Sequence, residues 1–223
     1  MAYILNLETS TTNCSVALSH DGEPIALKED NNLQYSHSEQ LHIYIDEVLS
    51  KAQVYLHKID AIAVSMGPGS YTGLRIGVSA AKGLCFALDL PLIAVPTLEV
   101  LAWKINVNSG YIVPMLDARR MEVYSQVFDA IHHPIKAISA QILQSDSYLN
   151  FLNRKAVYFV GNANEKAKTL INHPNANFEN QLPSAEQMCG LSYKKFIHHD
   201  FEDLAYFEPF YLKDFIATPP GEI

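Results

Sequence analysis

The sequence predicts a duplicated α/β fold with two lobes and a cleft between them. In the first half, three apolar strand-like segments are followed by a helical segment, a strand and a second helical segment, and the same order recurs in the second half. The 223 residues are enough for two lobes that each have a core. We therefore predict an N-terminal lobe at residues 1–103 and a C-terminal lobe at residues 104–223, whose final strand or tail is free to return to the first lobe.

The elements of the first half follow from apolar runs separated by turn residues. His20-Asp21-Gly22 is typical of a hairpin turn, and Ser36 or Ser38 is suited to cap the first helix. Predicted strands cover residues 3–7, 14–18, 24–27, 62–65 and 91–95, and predicted helices run to about residue 52, over 72–88 and onward from 97.

The second half repeats this order and ends in a segment rich in Asn, Pro and aromatic residues. Predicted strands cover residues 111–116, 123–128, 135–138 and 157–160, and predicted helices cover 145–152 and 164–171. Within residues 172–223 we predict one helix near 184–196 and one late strand near 207–212.

The most informative segment is a glycine turn with the helix that follows it. Gly67-Pro68-Gly69 connects an apolar strand to a helix whose N-cap is Ser70 or Thr72. Small residues let another backbone approach closely, so we predict that this helix is covered by the core or by a partner protein. At about 100° per residue, one face carries Gly73, Gly77, Ala80, Ala81 and Leu84, and the opposite face carries Arg75, Ser79 and Lys82.

Composition and charge exclude several classes of protein. The formal net charge is −8 and the chain has only four arginines, so it lacks the basic field of a strong nucleic-acid binder. No apolar run reaches the length of a membrane span, and no signal peptide is recognisable. Cys14, Cys85 and Cys189 are widely spaced, which is typical of reduced thiols. We predict a cytoplasmic protein.

Four motifs carry a resemblance to a known family. They are ILNLETS at residues 4–10, GPGSYTGLRIG at 67–77, DARRMEVY at 117–124 and PFYLK at 209–213. In these motifs the chain resembles the TsaB (YeaZ) family, whose members take part in making threonylcarbamoyladenosine at position 37 of tRNA. The order of elements likewise resembles the duplicated ribonuclease-H-like fold of actin and hexokinase.

The resemblance implies partner subunits, and it implies that one of them carries out the catalysis. It implies a complex with TsaD, the paralogous catalytic subunit, and with TsaE, a small ATPase. TsaD would transfer the threonylcarbamoyl group, so ATP or ADP and a metal ion are expected on the partner subunits. This chain would reach tRNA only through the complex, and would form a homodimer when TsaD is absent.

Few residues of this chain are suited to catalysis. By resemblance to TsaD, two metal-binding histidines would fall at Thr97 and Leu101, and neither residue type can replace them. We therefore predict no metal site and no catalytic residue. Other candidates for holding a cation or an anion are Glu8, Asp117, Gly67 and Gly69, each with the structural alternative of pinning a strand end or forming a tight turn.

A partner interface is predicted on the first two long helices. The first helix carries apolar residues on one side and shows Ile43 and Tyr44 outside that stripe. Asp117, Arg119 and Glu122 are further expected to form an ion-pair network. The predicted interface comprises Leu41, Ile45, Val48, Leu49, Gly73, Arg75, Gly77, Ala80, Ala81 and Leu84.

Two functions from different classes remain open at this point, and the acidic charge argues against a third, an RNA-guiding subunit that binds tRNA by itself. The first is a non-catalytic scaffold that holds TsaD in an active arrangement by population shift. The alternative is an actin-like ATPase, phosphotransferase or hydrolase that acts on its own, although the chain contains no Gly-Gly pair of the kind that contacts adenosine in such enzymes.

Overall fold

The computed structural model describes residues 1–31 and 37–213. The first half contains β1 (Tyr3–Glu8), β2 (Cys14–His20), β3 (Glu23–Asp30), α1 (His37–Ala52), β4 (Ala61–Gly67), α2 (Tyr71–Leu88), β5 (Leu92–Pro96) and α3 (Thr97–Ala102), with a short 3-10 helix at Leu56–Lys58. The second half contains β6 (Tyr111–Asp117), β7 (Glu122–Asp129), β8 (Pro134–Ile142), α4 (Leu149–Leu152), β9 (Val157–Val160), α5 (Asn164–Lys168), β10 (Ala176–Glu179) and α6 (Ala185–Ile197).

Two five-stranded sheets share one topology. The first has the strand order β3-β2-β1-β4-β5, and the second has β8-β7-β6-β9-β10. In each sheet the first three strands along the chain pair antiparallel, and the last two join in parallel. Each parallel strand is followed by a helix, so the two halves repeat one unit. The predicted duplicated, ribonuclease-H-like α/β fold is confirmed.

The two halves are joined by an exchange of helices. Helix α6 packs against β1, β2 and β5 of the first sheet, whereas α3 packs against β6 of the second sheet. The two helices also contact each other. One face of the first sheet is covered by α1 and α2 and the other by α6, so this sheet is apolar on both faces.

The helix caps follow the predictions in part. Ser70 is the N-cap of α2, because its hydroxyl accepts a hydrogen bond from the Gly73 amide at 3.3 Å, and Thr72 lies inside the helix. Helix α1 begins at His37, so Ser38 lies inside it, and Ser36 is outside the described residues. Ser184 caps α6 by accepting from the Glu186 amide.

The predictions for the second half are less accurate. The helix predicted over 145–152 is reduced to α4, because Tyr148 has a left-handed φ of 62° at the position before its first turn. The helix predicted over 164–171 ends at Lys168, and β10 was not predicted. The late strand near 207–212 is wrong: Phe207 packs into the first core and the Phe210 amide bonds to Met66 O, without forming a strand.

In the part of the chain that the structure describes, no helix combines the length and the hydropathy that a bilayer span would need.

Candidate functional site

The apolar stripe of α1 faces the core of the first lobe. Leu41, Ile45, Val48 and Leu49 are all buried and pack into the cluster between the helices and the first sheet. All four are predicted interface residues, and burial against the first sheet leaves little of Ile45, Val48 and Leu49 open to a partner, whereas Leu41 also lines the gap between α1 and α2. Tyr44, predicted to lie outside the stripe, is buried as well, whereas Ile43 is 49% exposed.

The small residues of α2 divide between an inner and an outer face. A Cβ on Gly73 would lie 2.1 Å from Thr9 O, and one on Gly77 would lie 2.3 Å from Thr9 Oγ1. Ala81 is fully buried. Gly73 and Gly77 therefore serve a close contact inside the chain, and Ala81 belongs to the core of the first lobe. Of the predicted α2 residues, Arg75, Ala80 and Leu84 remain at the surface, the first exposed and the other two half-buried.

A groove of about 670 Å³ runs between the two helices. We call it the α1–α2 groove. Apolar side chains form much of its lining, and histidines, hydroxyls and Arg75 lie around them. It is lined by His37, Ser38, Leu41, His42, Tyr71, Thr72, Arg75, Ile76, Ser79, Ala80, Gly83 and Leu84. The α1–α2 groove is thus the gap between the two helices, and of the apolar stripe of α1 it is Leu41 that lines it.

One end of the α1–α2 groove is ordered by an aromatic and cationic cluster. Arg75 Nη1 donates to the Tyr71 hydroxyl at 2.7 Å. The Tyr71 ring packs on Tyr211 with centroids 5.0 Å apart, so the C-terminal segment reaches the groove. This hydrogen bond, with the charges of the two tyrosines nearby, raises the pKa of Arg75. The cluster holds Arg75 as a fixed positive charge.

Two features of α2 were missed at the sequence level. Phe86 is 84% exposed and lies near the C-terminal end of the helix. Lys82, assigned only to a polar face, donates to Ala205 O and Phe207 O and so holds the C-terminal segment on the helix. The exposed Phe86 could have been found from its place outside the apolar stripe. The role of Lys82 could not, because its partners are more than 120 residues away.

Glu8 lies fully buried at the end of β1. Its Oε1 accepts from the Ser10 amide at 2.6 Å and from Ser65 Oγ at 3.0 Å, while its Oε2 has no hydrogen-bond partner among the described residues. Burial raises the pKa of Glu8, against the opposing effect of these hydrogen bonds. Glu8 thus links the chain after β1 to β4 by hydrogen bonds. Its buried Oε2 is unsatisfied within residues 1–31 and 37–213.

Asp117 occupies the matching position at the end of β6, but in a different environment. Its side chain is 45% exposed, and its Oδ1 accepts from the Arg119 amide at 2.6 Å and from Lys166 Nζ at 3.0 Å. No hydrogen bond or ion pair joins it to Glu8 within residues 1–31 and 37–213. The expected Asp117–Arg119–Glu122 network is wrong in assigning Arg119 as the positively charged partner. Lys166 pairs with Asp117, and Lys213 pairs with Glu122.

Gly67 and Gly69, the two residues of the glycine turn that are candidates for anion binding, both make close contacts within the chain. Gly67 has φ 111°, and its amide donates to Thr97 Oγ1 at 3.1 Å. A Cβ on Gly69 would lie 2.5 Å from Ser10 O. Thr97 is therefore a partner of the turn, and Leu101 is fully buried against the second sheet. Among the described residues, no group of three or more His, Cys, Asp or Glu side chains is placed to hold a metal ion.

Comparison with known proteins gives consistent matches. Residues 31–217 match the family described as TsaD, tRNA N6-adenosine threonylcarbamoyltransferase. The tRNA threonylcarbamoyladenosine biosynthesis protein TsaB of Haemophilus influenzae is 30% identical, over 95% of this chain and 93% of that protein. TsaB of Bacillus subtilis is 32% identical, over 75% of this chain and 74% of its own length.

A solved structure and a transferase sequence also match this chain. The structure of YeaZ from Pseudomonas aeruginosa superposes with a TM-score of 0.82 at 26% identity, over 95% of this chain and all of that one. The tRNA N6-adenosine threonylcarbamoyltransferase of Geobacillus thermodenitrificans is 33% identical over 42% of this chain and 32% of that enzyme.

Proposed function

Because the chain belongs to the TsaB (YeaZ) family, we propose that it is a non-catalytic subunit of the complex that makes N6-threonylcarbamoyladenosine in tRNA. In this complex it binds the transferase TsaD and activates it. The α1–α2 groove is the surface that makes this contact, and the groove is the single observation that carries the proposal.

The lining of the groove supports a protein partner. Ile76, Ala80 and Leu84 offer apolar surface to a helix from outside, and Arg75 is a fixed charge at its edge. A specific interface generally buries about 1,200–2,000 Å² in total. Two helices of 16 and 18 residues, with the exposed Phe86 on α2, are long enough to approach that area.

The placement of polar residues supports a non-catalytic role. Glu8 is buried between strand ends, so it does not reach a ligand in the cleft. Thr97 bonds to the turn at Gly67, in the position where TsaD would carry its first metal-binding histidine. The remaining partners follow from the family: TsaE in the same complex, tRNA through the complex, and a second copy of this chain on the same groove when TsaD is absent.

Activation is proposed to work by population shift. If this chain binds the competent arrangement of TsaD more tightly than other arrangements, the complex is enriched in that arrangement. ATP or ADP and the catalytic metal then belong to the partner subunits. We place the reaction in the cytoplasm, where the three free, buried cysteines are compatible with a reducing environment.

The groove is tested by filling it without disturbing the core. Gly83 lines the groove, and a Cβ there meets nothing within 4 Å, so Gly83→Arg places a long side chain in the groove. The matched control is Gly190→Arg, an exposed glycine of α6 with equally open surroundings on the opposite face of the sheet. We expect Gly83→Arg to weaken binding to TsaD at least about tenfold in titration calorimetry, with a parallel loss of threonylcarbamoylation.

The control is expected to bind TsaD as the unaltered chain does. Equal affinity of a folded Gly83→Arg variant would contradict the assignment of the groove. Product formed by this chain with ATP but without TsaD would instead support the alternative, an enzyme acting on its own.

A further inference from the structure

The hairpin between β6 and β7 carries an unusual pair of residues at its tip. Arg119 and Arg120 have φ values of 68° and 50°, and they are the only consecutive non-glycine residues with positive φ among the described residues. The Glu122 amide donates to Arg119 O and the Ala118 amide to Glu122 O, which closes a tight turn. The loop comprises Arg119, Arg120 and Met121, and the positive φ of its first two residues is a conformation that glycine and asparagine adopt more readily than arginine.

The turn is held from outside by two residues, Lys166 and Asn162. Lys166 of α5 donates to Asp117 Oδ1 and to the backbone oxygens of Arg120 and Glu122. Asn162 Oδ1 also accepts from the Asp117 amide at 2.9 Å. Because several independent contacts fix the turn, the strained backbone persists, and the two arginines project from a rigid support.

The nearby carboxylates are neutralised by other residues. Asp117 pairs with Lys166, and Glu122 pairs with Lys213 of the C-terminal segment. Neither guanidinium makes a hydrogen bond or an ion pair with another residue of 1–31 or 37–213, and both arginines are exposed. Within the part of the chain that the structure describes, the tip therefore carries two positive charges without a carboxylate partner, on a chain whose formal net charge is −8.

We propose that Arg119 and Arg120 form a phosphate-contacting tip that binds the ribose-phosphate backbone of RNA within the assembled complex. Guanidinium groups match phosphate oxygens with two parallel N–H donors, and exposed arginines that lack a carboxylate partner are available for this pairing. The inference rests on the proposed function in one respect, namely that the RNA is a transfer RNA.

The charge of the chain explains why the contact needs the complex. Two arginines release few counterions, so against a net charge of −8 they do not supply strong binding alone. In the complex they add to the contacts that the partner makes. An acidic protein surface is the competing ligand, and the experiment below distinguishes it from RNA.

The test replaces the arginines without disturbing the turn. The double variant Arg119→Asn/Arg120→Gly has residue types that adopt positive φ readily, and so it is expected to fold without added strain in the turn. The matched control is Arg154→Ala, which removes an exposed arginine from another turn of the same lobe. A second double variant, Arg119→Lys/Arg120→Lys, keeps the charge but loses the planar fork.

The affinity for unmodified transfer RNA is measured by fluorescence anisotropy over a range of salt, with each variant assembled with TsaD. For Arg119→Asn/Arg120→Gly we expect roughly tenfold weaker binding, and a salt slope smaller by about one to two, because each phosphate contact contributes about 0.7–0.9 to that slope. The lysine pair is expected to keep the slope and lose part of the affinity. Arg154→Ala is expected to match the unaltered chain.

Titration of each variant with TsaD separates the two ligands. If the Asn/Gly variant loses TsaD affinity while tRNA affinity and salt slope stay unchanged, the arginines contact an acidic protein surface and the RNA assignment is overturned. Unchanged values in both assays overturn it as well.

The same RNA titration on the isolated chain at low salt keeps the inference testable if TsaD does not bind at all. In that case the proposed function fails, and a difference in salt slope between the unaltered chain and the Asn/Gly variant still supports the RNA contact. Equal slopes reject it.

Discussion

At the scale of single residues, the two halves use equivalent carboxylates differently. Glu8 ends β1 and Asp117 ends β6, and each accepts a hydrogen bond at 2.6 Å from the amide two residues later. Glu8 is fully buried with Oε2 unsatisfied, whereas Asp117 is exposed and paired with Lys166. The burial of a carboxyl that lacks a positive partner disfavours its ionised form.

This difference in burial predicts that the free energy of unfolding depends on pH through the ionisation of Glu8. Because burial raises the pKa of Glu8, the folded chain holds its proton more tightly than the unfolded chain. The stability that Glu8 contributes is complete below its ordinary pKa and is lost as the pH rises through the folded value. We expect Glu8→Gln, which has no such charge to bury, to become more stable than the unaltered chain as the pH rises above about 4.5, by at most about 1.4 kcal/mol per pH unit.

The measurement is urea unfolding at several pH values between 4 and 8. Glu39→Gln, at an exposed position of α1, controls for the loss of one formal charge. A difference between the Glu8→Gln variant and the unaltered chain that stays constant across this range would show that Glu8 is ionised in both states.

At the scale of elements, α2 is fixed by backbone proximity as well as by apolar burial. Thr9 donates from Oγ1 to Gly73 O at 2.8 Å, and its own backbone oxygen lies where a Cβ of residue 73 would be. The helix therefore sits close to the chain that leaves β1, and its opposite side is free to line the α1–α2 groove. The two sides of one helix thus carry the internal and the proposed external contact.

The close contact predicts opposite effects for two glycine substitutions in the same helix. Gly73→Ala would place a Cβ 2.1 Å from Thr9 O, a backbone atom that cannot rotate away, and so we expect a loss of about 1–3 kcal/mol in the free energy of unfolding. Gly83→Ala meets nothing within 4 Å and is expected to gain about 0.5–1 kcal/mol from helix propensity. The free energy of unfolding of both variants is measured in urea. Equal changes in the two variants would contradict the contact with Thr9.

At the scale of the whole molecule, the exchanged helices make the lobes depend on each other. Helix α6 belongs to the second half by sequence but covers the first sheet, and α3 does the reverse. The turn after β7 adds a link, because His132 stacks on Trp103 with ring centroids 4.2 Å apart and its Nε2 lies 3.1 Å from Ile105 O. Neither half keeps both faces of its sheet covered without the other.

This arrangement predicts one cooperative unfolding transition. Trp103 is the only tryptophan of the chain and lies where the two halves meet, so its fluorescence reports on their junction. We expect the fluorescence midpoint in urea to coincide with the midpoint of far-ultraviolet circular dichroism. Separate midpoints would mean that the lobes unfold independently.

Much of the fold could be predicted from the sequence, for identifiable reasons. In the first half, strands such as β1 and β4 are mainly apolar, and Ser70 marks the start of α2 by a local hydrogen bond. In the second half the helices α4 and α5 have only four and five residues, too few for helical periodicity to indicate their ends. The segment around Phe207 is apolar because it enters the core as an extended chain, which alternation alone does not distinguish from a strand.

The duplicated order of strands and helices and the glycine turn can be read from the amino-acid sequence, because they depend on neighbours within a few positions. The direction in which each helix face is turned depends on the folded chain. In the fold, Leu41, Ile45 and Val48 lie against the sheet, Gly73 and Gly77 lie against Thr9, and Arg119 and Arg120 are exposed. The physical reason is that an apolar or small residue is equally suited to a core and to an interface, and only contacts between distant segments establish which of the two it serves.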